Sequence, residues 1–492
     1  MNLADAFAAS ARLDLGKIAL FWGEEEFSYG RLFGQTLWVA EQLRAEFKVQ
    51  PGDRVGLWLK NCPQFVPALF GILQADAVVV PINNFLKPAE VGFILANAGV
   101  NVLITDESMG EGLAKLIEAQ PGLQALKVEA FQEVSNRKSE IGSPKSTDSD
   151  LAVIVYTSGT TGHPKGAMLS HGNIWHNVES CRKVLEAVGE DRFVILLPMF
   201  HSFMMTVGVF LPLLVNGSVV VVKSLHPPKN ILAEIIHRKA TLLPAVPQFF
   251  RMLTNDSVTV DLPLRLCISG GAPLPGEILK EFTAKFPIPL LEGYGLSEAS
   301  PVVSFNPLHG PWKAGSIGVP ILDVDMSVQD DTGKILGPGE TGEVCVRGGN
   351  VMQGYWQQPE ETALVMRGEW LLTGDIGHVD ADGYYFITDR KKDMLLVNGI
   401  NVYPREIEEV LYQFKGVKEA AVIGVTDARK GEQAVAFLSM NEGASLDEKA
   451  LLQFVRERLA DYKVPKKVVV LPALPRNSTG KILKTALRKI SI

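Results

Sequence analysis

Residues Tyr156–Gly166 read YTSGTTGHPKG, a string packed with glycine and hydroxyl side chains. Such a loop can turn backbone N–H groups and the hydroxyls of Thr157, Ser158, Thr160 and Thr161 toward phosphate oxygens. Gly159 and Gly162 permit close approach, and Lys165 adds positive charge. It is not a Walker A loop, which needs Gly directly before Lys and Ser or Thr after it; here Pro164 precedes Lys165 and Gly166 follows. By composition alone the string equally describes a flexible turn. A second feature lies near the other end. From Lys463 to Lys489 there are eight basic residues and no acidic one, with Lys481 among them in PRNSTGK. That run reads either as a solvated surface or as a positive lid for a polyphosphate ligand.

These residues need elements to hold them. Leu151–Tyr156 (LAVIVY) has the composition of a buried strand leading into the loop. Before it, strand patterns at Arg54–Leu59, Val78–Ile82 and Val100–Ile104 alternate with helical patterns at Pro63–Ala75 and Pro88–Ala98, which indicates βαβ units and a parallel sheet. Glu133–Asp150 is polar and Ser-rich and reads as a loose connection. Strands are expected at Thr241–Val246 and Leu264–Ser269, and a helix at Gly276–Phe286. Between Ser316 and Ile387 short strands sit among Gly- and Asp-rich turns, the texture of a β-rich subdomain. From Asp393 onward a small α+β unit is expected, with strands at Met394–Val397, Ala420–Val425, Ala434–Ser439 and Lys467–Leu471 and helices at Pro404–Tyr412 and Asp447–Leu459. The fold class is therefore α/β: a large N-terminal part of parallel α/β sheets plus a β-rich subdomain, followed by a small α+β C-terminal domain.

Composition narrows the function. The 492 residues carry a net charge of −7, which argues against a nucleic-acid binder that relies on bulk positive charge. The total divides unevenly, because residues 393–492 carry +4 and the rest −11. Cys62, Cys181, Cys267 and Cys345 form no CxxC pair, so neither a disulfide scaffold nor a zinc site is expected, and a reducing, cytoplasmic compartment suits them. The N-terminal stretch lacks a secretory pattern. Phe193–Val222 carries no Asp, Glu, Lys or Arg, yet Pro198, His201, Pro212, Asn216 and Gly217 interrupt it. It reads as strand, buried helix and strand, with peripheral membrane contact at most.

YTSGTTGHPKG resembles the phosphate-binding signature of the adenylate-forming superfamily, which includes acyl-CoA synthetases. Companion motifs follow in the family's order: LEGYGLSEA at Leu291–Ala299, LLTGDIG at Leu371–Gly377, TDRKKD at Thr388–Asp393, VNGINVY at Val397–Tyr403, and PRNSTGKILK at Pro475–Lys484. The resemblance implies ATP, Mg²⁺ and CoA as cofactor and co-substrates. Glu298 is a hard oxygen ligand suited to Mg²⁺ beside phosphates, and Ser297 keeps the hydroxyl where the family usually has Thr. Tyr294 offers a flat face to adenine, within Glu292, Gly293, Tyr294 and Gly295. Gly270, Gly271 and Ala272, in SGGAP, resemble the shelf beside adenine. Asp375 resembles the carboxylate that accepts the ribose hydroxyls, with Arg390 as a companion and Ile387 among the nucleotide contacts. Lys481 matches the Lys that bridges substrate carboxylate and α-phosphate during adenylation. Lys392 matches a hinge, giving an N-terminal domain 1–391 and a mobile C-terminal domain 392–492. In the second orientation Gly399 leaves room for the pantetheine thiol. His201 resembles the residue at the mouth of the acyl pocket that orients the carboxylate or gates the tunnel, with a satisfied core histidine as the alternative.

The acid pocket is expected from Phe203, Met204, Met205, Val207, Val246, Phe249, Phe250 and Val302, an apolar lining. PMFHSFMM lacks the acid that amino-acid-activating relatives place there, so a plain carboxylic acid is favoured. The motifs look most like bacterial medium- to long-chain fatty acyl-CoA synthetases, with aryl-acid ligases of the coumarate type also open. An acyl carrier protein is the alternative acceptor to CoA. No insertion of the kind carried by carrier-loading relatives stands between Ser316 and Arg390, which favours CoA. The rival class is a nucleotide-binding protein without catalysis. Monomer and homodimer both remain open.

Overall fold

The short apolar runs become central strands of two mostly parallel sheets. The computed structural model describes residues 1–132, 143–157, 164–225, 229–255, 260–397, 400–427, 431–477 and 480–490. Part of the polar connection, 133–142, lies outside them. One six-stranded sheet runs Gln124–Lys127, Val102–Thr105, Arg54–Trp58, Val78–Pro81, Leu151–Thr157 and Lys165–Ser170. Its neighbours are parallel except the last pair, where Lys165–Ser170 returns antiparallel beside Leu151–Thr157. The strands on either side of the glycine-rich string thus pair as a hairpin, with Thr157 opposite Lys165.

The second sheet has nine strands. Leu290–Gly295, Leu266–Ser269, Leu242–Ala245, Arg192–Ile195, Ser218–Val221 and Ile18–Trp22 form its parallel centre. Antiparallel strands close both edges. One core joins the two sheets through the helices between them. Phe7 on the helix Leu3–Leu13 stacks on Phe70 of the helix Phe65–Gln74 with ring centroids 4.0 Å apart. Phe70 meets Phe210 edge-on at 5.6 Å. These aromatic contacts carry large buried area and tie the N-terminal helix to the wall beside His201.

The charge-free segment resolves into the strand Arg192–Ile195, a π-helical stretch Met204–Phe210 running into the helix Leu211–Leu214, and the strand Ser218–Val221. Every residue of the π-helical stretch is buried. Among the described residues no helix is long and apolar enough to cross a membrane.

The β-rich part is an antiparallel sheet of Val324–Gln329, Gly342–Gly348, Met366–Arg367, Trp370–Val379 and Tyr385–Arg390. The C-terminal part has its own sheet, in which Ile400–Val402, Leu395–Val397, Gly431–Met440 and Val417–Asp427 pair antiparallel and Lys467–Val470 adds in parallel. The helices Pro404–Tyr412 and Glu448–Arg456 contribute Ile407, Leu411, Leu451 and Val455 to a separate core there.

The glycines of GYG have a packing role of their own. A Cβ on Gly293 would lie 2.3 Å from the Phe305 ring, and one on Gly295 2.1 Å from the Pro301 carbonyl oxygen. They let Leu290–Gly295 lie flush against Val302–Phe305. Gly295→Ala forces backbone apart rather than a movable side chain. It should therefore destabilise the large domain by about 1–3 kcal/mol, the usual cost of overpacking. A lowered melting temperature checks this; an unchanged one would refute the close-packing account.

Candidate active site

One cleft of about 1270 Å³ collects residues from all of these parts. Thr157 and Lys165 come from the hairpin, and His201 from the bend that precedes the π-helical stretch. Gly270 and Gly271 follow the strand Leu266–Ser269, Gly293, Tyr294 and Gly295 end the strand Leu290–Gly295, and Ser297 and Glu298 lie on the turn after it. Asp375 and Arg390 belong to the antiparallel sheet, and Lys481 to the C-terminal part; all of them line the cleft. Ala272, Glu292 and Ile387 line an adjoining cavity of about 210 Å³ shared with Gly271, Tyr294, Asp375, Arg390 and Lys481. Ser158, Gly159, Thr160, Thr161, Gly162 and Gly399 lie outside the described residues.

At the centre the Tyr294 hydroxyl donates to Asp375 Oδ2 at 2.5 Å, and Arg390 Nε pairs with Asp375 Oδ1 at 3.1 Å. The Asp375 N–H donates to Thr373 Oγ1 at 3.1 Å, while Thr373 Oγ1 donates to the Val344 carbonyl at 2.7 Å. Both oxygens are thereby fixed in one plane, each with a lone pair to spare. Burial, then the Asp375 charge, raises the Tyr294 phenol well above its ordinary pKa, so it stays a donor.

Lys481 stands on a turn made by Gly480, whose φ is +83°. The Lys481 N–H donates to Asn477 Oδ1 at 2.9 Å, and the Asn477 N–H donates to the Lys481 carbonyl at 2.9 Å. Burial, followed by the Arg390 guanidinium, lowers the Lys481 ammonium to a pKa of about 8, with Asp375 opposing. Burial, then the charge of Lys481, pushes His201 down to about 4, so its imidazole is neutral near pH 7. The Phe203 N–H donates to His201 Nδ1 at 3.3 Å. The C-terminal part is seated by Arg405, whose N–H donates to Asp389 Oδ2 and whose Nη1 donates to the Ile387 carbonyl, both at 2.9 Å. Glu292 is buried, accepts from the Leu274 N–H at 3.0 Å, and is raised by burial to about 7.

Glu298 faces the hairpin. Its Oε1 accepts from the Tyr355 hydroxyl at 2.9 Å and from Thr157 Oγ1 at 3.4 Å. Ser297 Oγ lies 2.9 Å from Ser202 Oγ. Among the described residues no group of three or more His, Cys, Asp or Glu forms a metal cage. A lone carboxylate beside a phosphate-type loop instead fits Mg²⁺, which takes one or two carboxylates together with phosphate oxygens and water.

Sequence reasoning missed Tyr355, Ser202, Thr373 and Glu343, which accepts from the Gly374 N–H at 3.0 Å. The expected acid pocket also needs correction. Phe203 and Val302 line the cleft, joined by Phe200 and Phe305, and the Phe203 ring lies against Gly270. Met204, Met205, Val207 and Phe250 are fully buried in the core and do not line it. Met204, Met205 and Val207 lie on the buried π-helical stretch, which turns them away from the cleft, and Phe250 lies on the separate helix Pro247–Asn255.

The AMP-binding enzyme family model matches residues 7–356, and the AMP-binding enzyme C-terminal domain model matches 406–481. A feruloyl-CoA synthase of Amycolatopsis is 36% identical over 483 residues, spanning 97% of each chain. A long-chain-fatty-acid–CoA ligase of Bacillus subtilis is 36% identical over 480 residues, spanning 89% of this chain and 86% of that one. The crystal structure of ATP-bound MatB from Rhodopseudomonas palustris matches with a TM-score of 0.91 at 32% identity over 99% of both chains. Adenylate-forming CoA ligases use ATP, Mg²⁺ and CoA. The chain belongs to the AMP-binding enzyme family, within the adenylate-forming superfamily, and is an acyl-CoA synthetase.

Proposed function

We propose that the protein activates a medium- or long-chain fatty acid to its acyl-AMP and transfers the acyl group to CoA. The observation that carries this reading is the meeting of Lys481 with Asp375, Arg390, Ser297 and Glu298 around one cleft. Asp375 would accept the ribose hydroxyls on its remaining lone pairs, and Tyr294 would present its ring to adenine. Glu298 would hold Mg²⁺, which when bound offsets phosphate charge. The fatty carboxylate attacks the α-phosphorus of ATP; a P–O bond forms as the bond to pyrophosphate breaks. Lys481 meets the charge that develops on the phosphate, and so favours the transition state over the ground state. His201, held neutral, is suited to orient the carboxylate without neutralising it. The C-terminal domain, 392–492, then turns at Lys392 and withdraws Lys481. The loop around Gly399 takes its place, the CoA thiol attacks the acyl carbonyl, and AMP leaves. Leu396 and Ile400, which flank that loop, are 49% and 46% exposed, which suits a surface held in reserve.

The apolar wall, without an acid to pair an amine, supports a plain monocarboxylic acid. A second reading, an aryl acid of the cinnamate or benzoate kind, is favoured by the aromatic rings of Phe200, Phe203 and Phe305 in that wall. The four free cysteines, three of them buried, suit a cytoplasmic setting.

Pyrophosphate release over saturated acids from acetate to octadecanoate, with cinnamate and benzoate alongside, tests the substrate. A maximum at a medium- or long-chain acid supports the fatty reading, a maximum at cinnamate or benzoate replaces it with the aryl one, and no release from any acid sinks adenylation. Repeating the best acid with and without CoA, and weighing products by mass spectrometry, separates CoA from carrier protein as acceptor.

Lys481→Ala should slow acyl-AMP formation by roughly 10²–10³-fold, the scale for losing one preorganised stabiliser. Thioester formation from supplied acyl-AMP should be nearly unaffected, and equal losses in both steps would refute the assignment.

The low pKa of Lys481 fixes a pH dependence. The working form is the cation, which is lost as pH rises through about 8. kcat/KM for pyrophosphate release should therefore fall on that alkaline limb. Lys481→Arg, charged throughout, should move the limb upward. A limb that stays in place in the Arg variant assigns it to another group.

A further inference from the structure

Lys165 opens the return strand of the hairpin and its side chain is 9% exposed. Its ammonium is ion-paired with Glu361, from the helix Pro359–Val365, whose side chain is 30% exposed. The same ammonium stands 5.3 Å from the centroid of the Tyr355 ring, and the hydroxyl of that ring donates to Glu298. Backbone bonds fix the two segments against each other. The Met168 N–H donates to the Gly354 carbonyl at 2.9 Å, the Gln353 N–H to Met168 at 2.9 Å, and the Trp356 N–H to Gly166 at 2.7 Å. Lys165 and Tyr355 line the cleft, so the ammonium paired with the Glu361 carboxylate also faces the space read as the ATP site. No motif in the sequence draws attention to Glu361.

A nearly buried ammonium is costly without an anion beside it. Carboxylate and phosphate oxygens are rival acceptors for the same N–H donors. We propose that Glu361 is a positioning residue that serves as an internal stand-in anion on Lys165, competing with nucleotide phosphates and so limiting how tightly ATP and pyrophosphate are held. This rests on the reading of the cleft as the ATP site. Glu361 keeps the ammonium against the Tyr355 ring, where arriving phosphates meet it already placed. Binding becomes an exchange of partners, and when pyrophosphate departs a carboxylate stands ready to take the ammonium back.

Glu361→Gln keeps an amide oxygen for Lys165 and removes the charge. In calorimetric titrations of the full chain, pyrophosphate and ATP should bind about fivefold more tightly to this variant, the scale of one partly exposed ion pair. Adenosine, which has no phosphate, should bind as before. Pyrophosphate should also raise the melting temperature more in the variant than in the unaltered protein. Glu361→Asp, with a shorter reach, should give a smaller gain in the same direction, and supplies the measurement if the Gln variant does not fold. Combining Lys165→Met with Glu361→Gln should abolish the gain, which a merely structural role for Glu361 does not predict. Unchanged or weaker phosphate binding in the single variants, or a gain that survives without Lys165, overturns the proposal. If the unaltered protein binds ATP tightly and E361Q does not differ, the proposal alone fails. If the unaltered protein binds neither ATP nor adenosine, the nucleotide reading of the cleft fails with it.

Discussion

Asp375 holds Tyr294 through one oxygen and Arg390 through the other. Tyr294 belongs to the nine-stranded sheet, whereas Asp375 and Arg390 face each other across two strands of the antiparallel sheet. The carboxylate is therefore the joint at which two independently built layers agree on a geometry. Its own position is set from behind by Thr373, and through the neighbouring Gly374 N–H by Glu343. Lys481 then enters a field already defined, with burial first and Arg390 second pressing its ammonium toward neutrality and Asp375 resisting. Without the carboxylate the two cations would face each other unshielded, so the chemistry assigned to Lys481 depends on Asp375 before any ligand arrives.

The close approach of strands does comparable work on the other side of the cleft. Gly293 and Gly295 bring Val302–Phe305 so near that Asn177, from the helix His171–Val184, reaches the backbone of Val302 in both directions, donating at 2.6 Å and accepting at 3.1 Å. Ser297 and Glu298 sit on the short turn between those strands. Their aim toward Ser202 and Thr157 follows from a tightly packed hairpin more than from any side-chain preference of their own.

Much of this was legible in the sequence, for reasons that differ by element. Pro88–Ala98 and Pro404–Tyr412 begin and end where the pattern placed them, because Pro at the first turn marks a start and Gly99, with φ +66°, marks a stop. Strands buried on both faces announced themselves as unbroken apolar runs. The return strand Lys165–Ser170 (KGAMLS) did not, since its partners are a hairpin mate and the backbone of 353–356, neither of which imposes a pattern on its side chains. Of the site, the residues inside motifs were readable, and those that support them were not. Tyr355 meets Glu298 across 57 positions and Ser202 meets Ser297 across 95. Contacts of such separation leave no periodic trace in one sequence. The acid pocket was misread for a related reason: helical winding, here with the wider π turn, decides which of Phe203, Met204 and Met205 faces the cleft, and an apolar run does not say how it winds.

Among the described residues, the strand Leu151–Thr157 is followed by the strand Lys165–Ser170 and not by the helix whose permanent dipole serves strand–loop–helix phosphate sites. The positive potential over the cleft must come from discrete cations, and one of them, Lys481, is carried on a separate part of the chain. A dipole built into the scaffold cannot be switched off, but a charge on a part that turns, as proposed for 392–492, can. Should residues 392–492 turn as proposed, attraction for polyphosphate would become a property of posture rather than of sequence, strong with Lys481 in the cleft and weaker once it has left.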